Sequence, residues 1–494
     1  MAGNQVNNPV ALPPYTSLVD VQKIRNPCVS NLADFLHEPP QNLHCRIRLL
    51  EFNQGGAAPT PTNVDQVNLA AVLTAAKPAT LLGRLFLIED LTSNVVETFG
   101  SIINIDPLFF ASHLDTPSQD INRQAPDKAT LPSRLKNKDY VNIHYHRTIV
   151  FNCQMPDEYL KLRRDINIHR KVAVLTPIKK RRIGLAQHCV SIYRTTRTSG
   201  DWIALILTDP EISNRYKSPN GILSYASELF AGGYEDFLPP RPLPPTGPLE
   251  PQRSNLLDDL LYYFAVGGYP FPNGNPTLLA FARCPLQIVA REWVNYVAVM
   301  SHSVKQYEYD SKDFKDYKNI EVNLKELQRW RRRAMASEQK IRAATSFLRY
   351  SRSLEAKPDR AQWDPHLEDW AYVGNDLRTC GRTLDHMVSV SQILDARRSV
   401  DETKATTKLT TLALLFFPLS LFASIFSMAD RFSPGKGLFW VYFVVAVPVC
   451  LVLYVLVRPP QWVKVKWKES RLRKPWQKIK DRWNYPISDW RPPA

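Results

Sequence analysis

The stretch LTTLALLFFPLSLFASIFSMADRF, residues 409–432, begins as an uncharged run and ends in a short polar segment. Its first 18 residues, 409–426, carry no charged side chain, and 20 further uncharged residues follow at 438–457. A helix needs about 20 apolar residues to cross the roughly 30 Å of hydrocarbon in a bilayer. Pro418 and Pro448 lie inside these runs, which membrane helices tolerate. We expect two transmembrane helices, with a buried hairpin of a soluble domain as the alternative.

The basic residues around the two runs predict their orientation. The segment between them, 427–437, contains only Arg431 and Lys436 as basic residues, whereas the tail at 458–494 contains eleven Lys and Arg against three acids. The positive-inside rule therefore places both termini in the cytosol and the short loop outside. The tail is also rich in tryptophan, which suits contact with anionic lipid headgroups. We do not expect nucleic acid as a partner, because no recognition motif accompanies this charge.

The composition argues against several classes of protein. The chain has 494 residues, a net charge of +16 and seven scattered cysteines with no CxxC pair, so neither a disulfide framework nor a structural zinc site is expected. The N-terminal residues lack a basic region followed by an apolar run, so we do not expect a secretory signal there. No P-loop, GxSxG, HExxH or EF-hand motif occurs. An enzyme is thus the least favoured class, and no cofactor is predicted.

The residues before the membrane runs predict several cytosolic parts. We expect a disordered lead-in at 1–40, an N-terminal α+β (α/β) domain at 41–236, a Pro-rich linker at 237–252 and a helical region at 253–408. A plain spacer is favoured over an SH3-type ligand for the linker. The predicted strands are 46–52, 81–90, 140–151, 171–175, 188–195 and 201–210, and the predicted helices between them are 63–77 and 105–114.

A long stalk helix is predicted to lead into the first membrane run. Apolar and small residues recur there at alternating spacings of three and four, which indicates a coiled-coil-like seam packed against partner helices. No proline or strong stop separates this seam from residue 409. The seam consists of Trp370, Val373, Leu377, Cys380, Leu384, Met387, Ser391 and Leu394.

The first membrane run carries a stripe of small and hydroxyl-bearing residues on one helical face. Two interpretations are open. Small residues allow close helix packing, which the spacing alone favours. The stripe can also line a pore in a ring of identical helices, and that requires an oligomer because two helices cannot enclose a pore. The stripe consists of Thr406, Thr410, Ala413, Phe417, Ser420, Ser424 and Ser427.

These residues resemble a known family. LTTLALLFFPLSLFASIFSMAD resembles the first membrane span and signature of the CorA-like divalent-metal transporters. DARRSVDETK, residues 395–404, is similar to the polar stretch that precedes this span in fungal members. RLFLIEDLTSNVVETFGSIINIDPLFFASHL, residues 84–114, resembles the N-terminal core of the fungal branch. The resemblance is strongest over 81–114, 188–210 and 366–457.

The resemblance implies a homopentamer whose central pore is lined by the first span. Mg2+ or another divalent cation would then be the transported or regulatory ion. Phe417 would form a bulky apolar constriction. By position, the resemblance implies that Thr406, Ala413, Phe417, Ser420 and Ser424 face the pore, in agreement with the stripe.

The chain departs from the family at the outer end of this span. At the positions of the Gly-Met-Asn signature the chain has Ser427, Met428 and Ala429, so the methionine is kept and the glycine and asparagine are not. A methyl group cannot accept a hydrogen bond from the hydration shell of a cation, as an asparagine amide can. Asp430 could restore an outer ring of oxygens, although Arg431 follows it. The degenerate signature keeps a second hypothesis open: a non-transporting, membrane-anchored interaction or regulatory protein.

Metal ligands elsewhere are not identifiable from the sequence. His144 and His146 alternate on a predicted strand, where ordinary strand histidines are favoured over a metal site. Acids of the long helix could bind a regulatory metal between subunits. Because arginines are interleaved with them, an ordinary solvent-exposed face is at least as well supported. These acids are Asp376, Asp385, Asp395, Asp401 and Glu402.

Overall fold

A computed structural model describes most of the chain. It covers residues 14–38, 44–55, 58–115, 131–135, 138–153, 161–177, 181–232, 237, 255–265, 275–310, 317–427 and 437–457. The predicted linker after Phe237, the loop at 428–436 and the basic tail at 458–494 lie outside the described residues. The chain divides into two compact units, Met1–Val388 and Ser389–Ala494.

The secondary structure changes from mixed to helical along the chain. The strands are β1 (Arg46–Asn53), β2 (Thr62–Asn63), β3 (Leu81–Glu89), β4 (Tyr140–Phe151), β5 (Lys161–Arg164), β6 (Lys171–Val174), β7 (Arg182–Thr196), β8 (Trp202–Thr208), β9 (Arg215–Ser218), β10 (Gly221–Ser224) and β11 (Ser227–Leu229). The helices are α1 (Tyr15–Arg25), α2 (Ser30–His37), α3 (Leu69–Thr74), α4 (Ser93–Ile103), α5 (Pro107–Leu114), α6 (Pro132–Leu135), α7 (Leu256–Ala265), α8 (Leu278–Asp310), α9 (Tyr317–Leu354), α10 (Asp364–Ser427) and α11 (Trp440–Val457).

The strands of the first unit form one 11-stranded sheet. Its main path runs β10-β9-β5-β6-β7-β8-β3-β1-β2, while β4 pairs with β7 and β11 pairs with β4. Within the described residues, β3 and β8 are the parallel neighbours and the other pairs are antiparallel. Every residue of β8 is buried and all but the terminal Thr208 are apolar, so this strand does not alternate between apolar and polar residues.

Helices cover the two faces of this sheet because alternate side chains of the central strands point to opposite sides. Ile203 and Leu205 of β8 belong to the core that includes α1, α2, α4 and α5. Trp202 and Ala204 belong to the core that includes α7, α8 and α9. The first unit is therefore a layered α/β structure, as the sequence predicts.

A close approach beside Trp202 shows how tightly one core is packed. A Cβ atom at Gly83 would lie 2.1 Å from the Trp202 ring, so glycine makes room for the indole. The indole packs against Phe281 of α8, with ring centroids 5.1 Å apart, and against Phe52 of β1 at 5.4 Å. Trp202 thereby joins the sheet to the helices that follow it.

The predicted strands are largely confirmed, with differences at their ends. The expectations at 46–52, 81–90 and 140–151 match β1, β3 and β4 closely, and 105–114 matches α5. Strand β7 begins six residues before the predicted start at residue 188. The predicted helix at 63–77 is wrong over most of its length, because only Leu69–Thr74 is helical.

The N-terminal segment differs from the predicted disordered lead-in. Helices α1 and α2 occupy Tyr15–Arg25 and Ser30–His37, and Tyr15 is 2% exposed. The Glu97 carboxylate of α4 accepts hydrogen bonds from the backbone N–H groups of Tyr15 and Thr16, at 2.6 and 2.9 Å. A carboxylate from a distant helix thus satisfies the free N–H groups at the start of α1.

The helical region also differs from the prediction, because it does not form a domain separate from the sheet. The core on this side of the sheet contains residues of both regions, and the first unit extends to Val388. A buried ion pair between Arg147 of β4 and Glu292 of α8, 2.9 Å apart, crosses the same boundary. The predicted domain boundary at 237–252 therefore does not separate two cores.

Helices α9 and α10 pair in an antiparallel arrangement. Arg352 lies 2.6 Å from Asp364 near the connection, and Arg331 lies 2.6 Å from Asp385 farther along. Between these ion pairs the predicted seam is buried: Trp370, Val373, Leu377 and Leu384 are at most 2% exposed. The seam thus packs against helices of its own chain as far as Val388.

Two apolar helices follow within the second unit. In the part of the chain that the structure describes, one helix is long and apolar enough to cross a membrane, and its apolar part lies at the end of α10. Little of that apolar part is buried, whereas the core helix of a soluble protein would bury it. The apolar stretch of α11, Trp440–Tyr454, is shorter than that, so the prediction of a second transmembrane helix is not confirmed.

Candidate functional site

The candidate site is the end of α10 together with α11, which packs on one of its faces. The Tyr442 hydroxyl donates a hydrogen bond to the Leu419 carbonyl oxygen at 3.1 Å. The Cys450 thiol donates to the Leu415 carbonyl oxygen at 3.8 Å. Pro418, on the same face of α10, is buried. Helix α11 therefore covers the face of α10 that is opposite to the hydroxyl stripe.

The residues of the predicted stripe share one property in the structure, which is exposure to solvent. Phe417 is the clearest example because 72% of a large apolar side chain is exposed. By contrast, Leu414, Leu415 and Leu419 are half-buried toward α11. The exposed stripe residues are Thr406, Thr410, Ala413, Phe417, Ser420, Ser424 and Ser427. The structure thus brings the stripe onto the face of α10 opposite α11, where exposed apolar side chains such as Phe416 and Leu421 flank it.

The hydroxyl groups of the stripe have a defined orientation. Thr406 donates its proton to the Glu402 carbonyl oxygen and Thr410 donates to the Thr406 carbonyl oxygen, both at 2.9 Å. Ser420 donates to the Phe417 carbonyl oxygen at 2.9 Å. A hydroxyl that gives its proton to the backbone retains lone pairs as acceptors. The stripe therefore presents oxygen acceptors, which suit the water molecules around a hydrated cation.

A second row of threonines was missed by the sequence analysis. Thr407 donates to the Thr403 carbonyl oxygen and Thr411 donates to the Thr407 carbonyl oxygen, both at 2.7 Å. Thr411 is half-buried, whereas Thr410 is exposed. The four-residue repeat of the Thr-Thr pairs at 406–407 and 410–411 was the available signal. Of the second pair, Thr410 belongs to the stripe and Thr411 does not.

Charged residues precede the apolar part of α10 and form ion pairs, some within the helix and one with α9. Arg398 lies 2.8 Å from Glu402, and Lys404 lies 2.9 Å from Asp401. Asp385 is paired with Arg331. Within the described residues, no group of three or more His, Cys, Asp or Glu side chains is arranged to hold a metal. The hypothesis of a regulatory metal between subunits stays a prediction.

The two strand histidines lie in the sheet. His146 is stacked on Tyr296, with ring centroids 5.4 Å apart, and lies edge-on to Trp293 at 5.8 Å. Burial lowers the pKa of His146 well below its usual value, so the ring is neutral. The Nε2 atom of His144 lies 3.9 Å from the sulfur atom of Cys189. His146 is thus a packed core residue on its strand.

A cluster of buried charges lies where the parallel strands β3 and β8 end. Asp90 follows β3 and Asp209 follows β8, and both are less than a tenth exposed. The Arg170 Nε atom donates to both carboxylate oxygens of Asp209, at 3.1 and 2.9 Å. The backbone N–H of Asn167 donates to the Asp90 carboxylate at 3.1 Å. This cluster was not predicted from the sequence, although an acid directly after an apolar strand was a local signal for it.

Burial dominates the electrostatics of this cluster. Desolvation, followed by the charge of Asp209, raises the pKa of Asp90 to about 7. Desolvation also raises the pKa of Glu89 to about 7, although Arg46 lies 3.1 Å from its carboxylate. The cluster joins the loop at 165–170 to the ends of both strands. The cluster lies inside the sheet domain, and the raised pKa values of Asp90 and Glu89 predict that its charge changes near neutral pH.

Comparisons with known proteins give matches among solved structures only. No protein-family model matches the chain, and no curated protein sequence is significantly similar to it. Among solved structures, the chain is similar to the CorA magnesium transporter from Methanocaldococcus jannaschii, with 10% identity, a TM-score of 0.38, and coverage of 85% of this chain and 99% of that chain. It is also similar to the full-length CmaX protein, with 12% identity, a TM-score of 0.39, and coverage of 85% and 96%.

The predicted signature, residues 427–429, begins at the last residue of α10. Ser427 is the last residue of this helix and is exposed. Met428, Ala429 and the acidic candidate Asp430 lie outside the described residues. The described part of the site therefore extends from Thr406 to Ser427.

Proposed function

We propose that the chain is a CorA-like, two-span membrane protein that passes divalent cations, with Mg2+ as the first candidate, through a pore lined by α10. The observation that carries this proposal is the free stripe of hydroxyl oxygens on an otherwise apolar helix. These oxygens can accept hydrogen bonds from the hydration shell of a cation. Mg2+ dehydrates reluctantly and usually keeps several waters, so a row of such acceptors suits it.

A membrane location is supported by both apolar helices. Helix α11 has 18 residues, which is about 27 Å of helix and close to the thickness of the hydrocarbon core. Exposed aromatic residues lie around its start: Phe439, just before the helix, is 37% exposed, Trp440 59% and Phe443 51%. Such residues prefer the membrane–water interface. With the basic tail toward anionic lipid in the cytosol, the loop between the helices lies outside.

An oligomer is required by this proposal, because α10 and α11 of one chain cannot enclose a pore. The exposed stripe, including 72% of Phe417, is available for a ring of identical helices. A homopentamer is the number that the CorA-like resemblance implies. In that ring, Phe417 forms the apolar constriction, and hydrophobic constrictions gate pores by excluding water.

In this proposal, ion selection at the outer end of the pore differs from the selection by the asparagine ring that the family resemblance implies. Ser424 and Ser427 supply hydroxyl oxygens near the mouth, where Ala429 has replaced the signature asparagine. Asp430 adds an acidic ring that concentrates cations. The expected result is passage of divalent cations with weaker discrimination among them than an asparagine ring provides.

A matched pair of threonines tests the proposed pore lining. Thr410→Val and Thr411→Val remove the same hydroxyl from adjacent residues, one on the stripe and one on the half-buried face. In proteoliposomes that contain the purified full-length chain, Thr410→Val should lower Mg2+ uptake about threefold or more. This factor corresponds to the free energy of one lost hydrogen bond. Thr411→Val should leave uptake near that of the unchanged chain. Equal effects of both variants would contradict a pore on the stripe.

A second candidate function is a membrane-anchored interaction or regulatory protein that does not transport. The loss of the signature at Ser427 and Ala429 favours it. The double change Ser427→Gly with Ala429→Asn separates the two candidates. Uptake that appears only in the double variant supports the non-transporting protein, whereas substantial uptake that the double change leaves unaltered removes its main support.

A further inference from the structure

Pro418 interrupts the hydrogen bonding of α10 within the proposed pore lining. Proline has no N–H, so the Leu414 carbonyl oxygen lacks the donor that a helix normally supplies four residues later. The proline ring also crowds that carbonyl group. Pro418 is buried on the side of α11. The segment after it, 419–427, is therefore held less firmly by the helix itself than the segment before it.

Side-chain donors surround this interruption. Ser420 donates to the Phe417 carbonyl oxygen at 2.9 Å on the free face. On the face toward α11, the Cys450 thiol reaches the Leu415 carbonyl oxygen at 3.8 Å. Broken helices persist in membranes where neighbouring helices and hydroxyl side chains satisfy the affected backbone groups. Helix α11 therefore supplies a side-chain contact to the backbone of α10 one residue beyond the Leu414 carbonyl group that Pro418 leaves without its helical donor.

Tyr442 makes the most extensive of these contacts. Its hydroxyl donates to the Leu419 carbonyl oxygen at 3.1 Å, and its ring meets Phe426 edge-on with centroids 6.2 Å apart. Leu419 and Phe426 are seven residues apart, so Tyr442 contacts two turns of α10 beyond Pro418. The Tyr442 ring is itself packed against Phe439 at 6.3 Å and Phe443 at 5.0 Å. A fixed ring with a directed hydroxyl can set the rotation of the segment 419–427.

We propose that Tyr442 is a positioning residue for the outer half of the pore. By holding Leu419 and Phe426 on the side of α11, it keeps Ser420 and Ser424 on the free face of α10. This inference rests on the proposed function for its effect on ions, but its effect on the orientation of α10 does not. Loss of the hydroxyl should let the segment rotate about the proline, so that Ser424 leaves the free face for part of the time.

The test compares Tyr442→Phe with Tyr454→Phe in the full-length chain in liposomes. Tyr454 lies on the same helix, is 41% exposed and serves as the matched control. The first readout is the rate at which a water-soluble thiol reagent modifies Ser424→Cys, with the chain lacking the added cysteine as the blank. The second readout is the ratio of Mg2+ to Ca2+ uptake. Hydrogen bonds of this kind in membranes shift an equilibrium about threefold.

Tyr442→Phe should lower the modification rate of Ser424→Cys about threefold and change the Mg2+ to Ca2+ ratio, while Tyr454→Phe changes neither. If the unchanged chain takes up no cation, the proposed function fails, but the modification rate still decides the positioning role. Identical modification rates in both tyrosine variants would overturn the proposal. If Tyr442→Phe does not assemble, Phe426→Leu removes the ring contact and keeps the hydrogen bond, and unchanged modification in that variant would also overturn it.

Discussion

Replacing Asp90 by Asn should make the sheet domain less sensitive to pH. Asp90 is 7% exposed and has a positive φ of 60°, a conformation that asparagine also tolerates. Asparagine can still accept the hydrogen bond from the Asn167 N–H. The change therefore removes a buried carboxylate with little change of shape.

The sign and size of the effect follow from the raised pKa. The pKa of Asp90 is about 7 in the folded chain against an ordinary 3.8, because burial and Asp209 penalise the charged form. Between these values the folded chain retains a proton that the unfolded chain loses, so stability falls as the pH rises. One pKa unit corresponds to about 1.4 kcal/mol, which makes the total cost at most about 4 kcal/mol. From pH 5 to pH 8 the advantage of Asp90→Asn should grow by about 2–3 kcal/mol.

Urea unfolding of the full-length chain in detergent micelles measures this advantage at both pH values. Tryptophan fluorescence is a suitable signal, because Trp202, Trp293 and Trp330 are fully buried in the first unit. The control is Asp65→Asn, which alters an exposed carboxyl. An advantage of Asp90→Asn that stays constant from pH 5 to pH 8, or that shrinks, would refute the assignment of a raised pKa to Asp90.

Three further predictions concern the cores and the pore. Glu292→Gln should lower the free energy of unfolding by about 3–5 kcal/mol, because the buried Arg147 guanidinium loses the carboxylate that lies 2.9 Å from it; urea unfolding measures it, and a loss below about 1 kcal/mol would contradict it. Gly83→Ala should lower the same free energy by about 1–3 kcal/mol, since its Cβ would overlap the Trp202 ring, and an unchanged unfolding curve would contradict this packing. Phe417→Ala should raise Mg2+ uptake in proteoliposomes by widening an apolar constriction, and unchanged or lower uptake would argue against that role.

The central strands and the long helices were predictable because their signals are local. Strands such as β4 and β8 consist of β-branched, aromatic and aliphatic residues between turn signals. The seam from Trp370 to Leu384 repeats at helical spacing and is buried as that spacing indicates. The stripe from Thr406 to Ser427 was predictable for the same reason, since one helix is enough to define its face.

The features that were missed depend on residues far apart in the chain. Helix α1 is tied to Glu97, about 80 residues away, so its local composition suggested disorder instead. The charged cluster joins Asp90 to Asp209 across two strands and a loop, and only the fold brings them together. The pairing of α9 with α10 was hidden by the many charges of α9, which form ion pairs such as Arg331 with Asp385.

The central claim is that identical copies of α10 line a conducting pore. The most direct measurement is Mg2+ uptake by proteoliposomes of the purified full-length chain, with the subunits counted in the same preparation. The account predicts uptake clearly above that of empty vesicles, from an assembly of identical subunits in which Thr410→Val reduces uptake and Thr411→Val does not. No uptake above empty vesicles, from protein shown to be assembled, would contradict it.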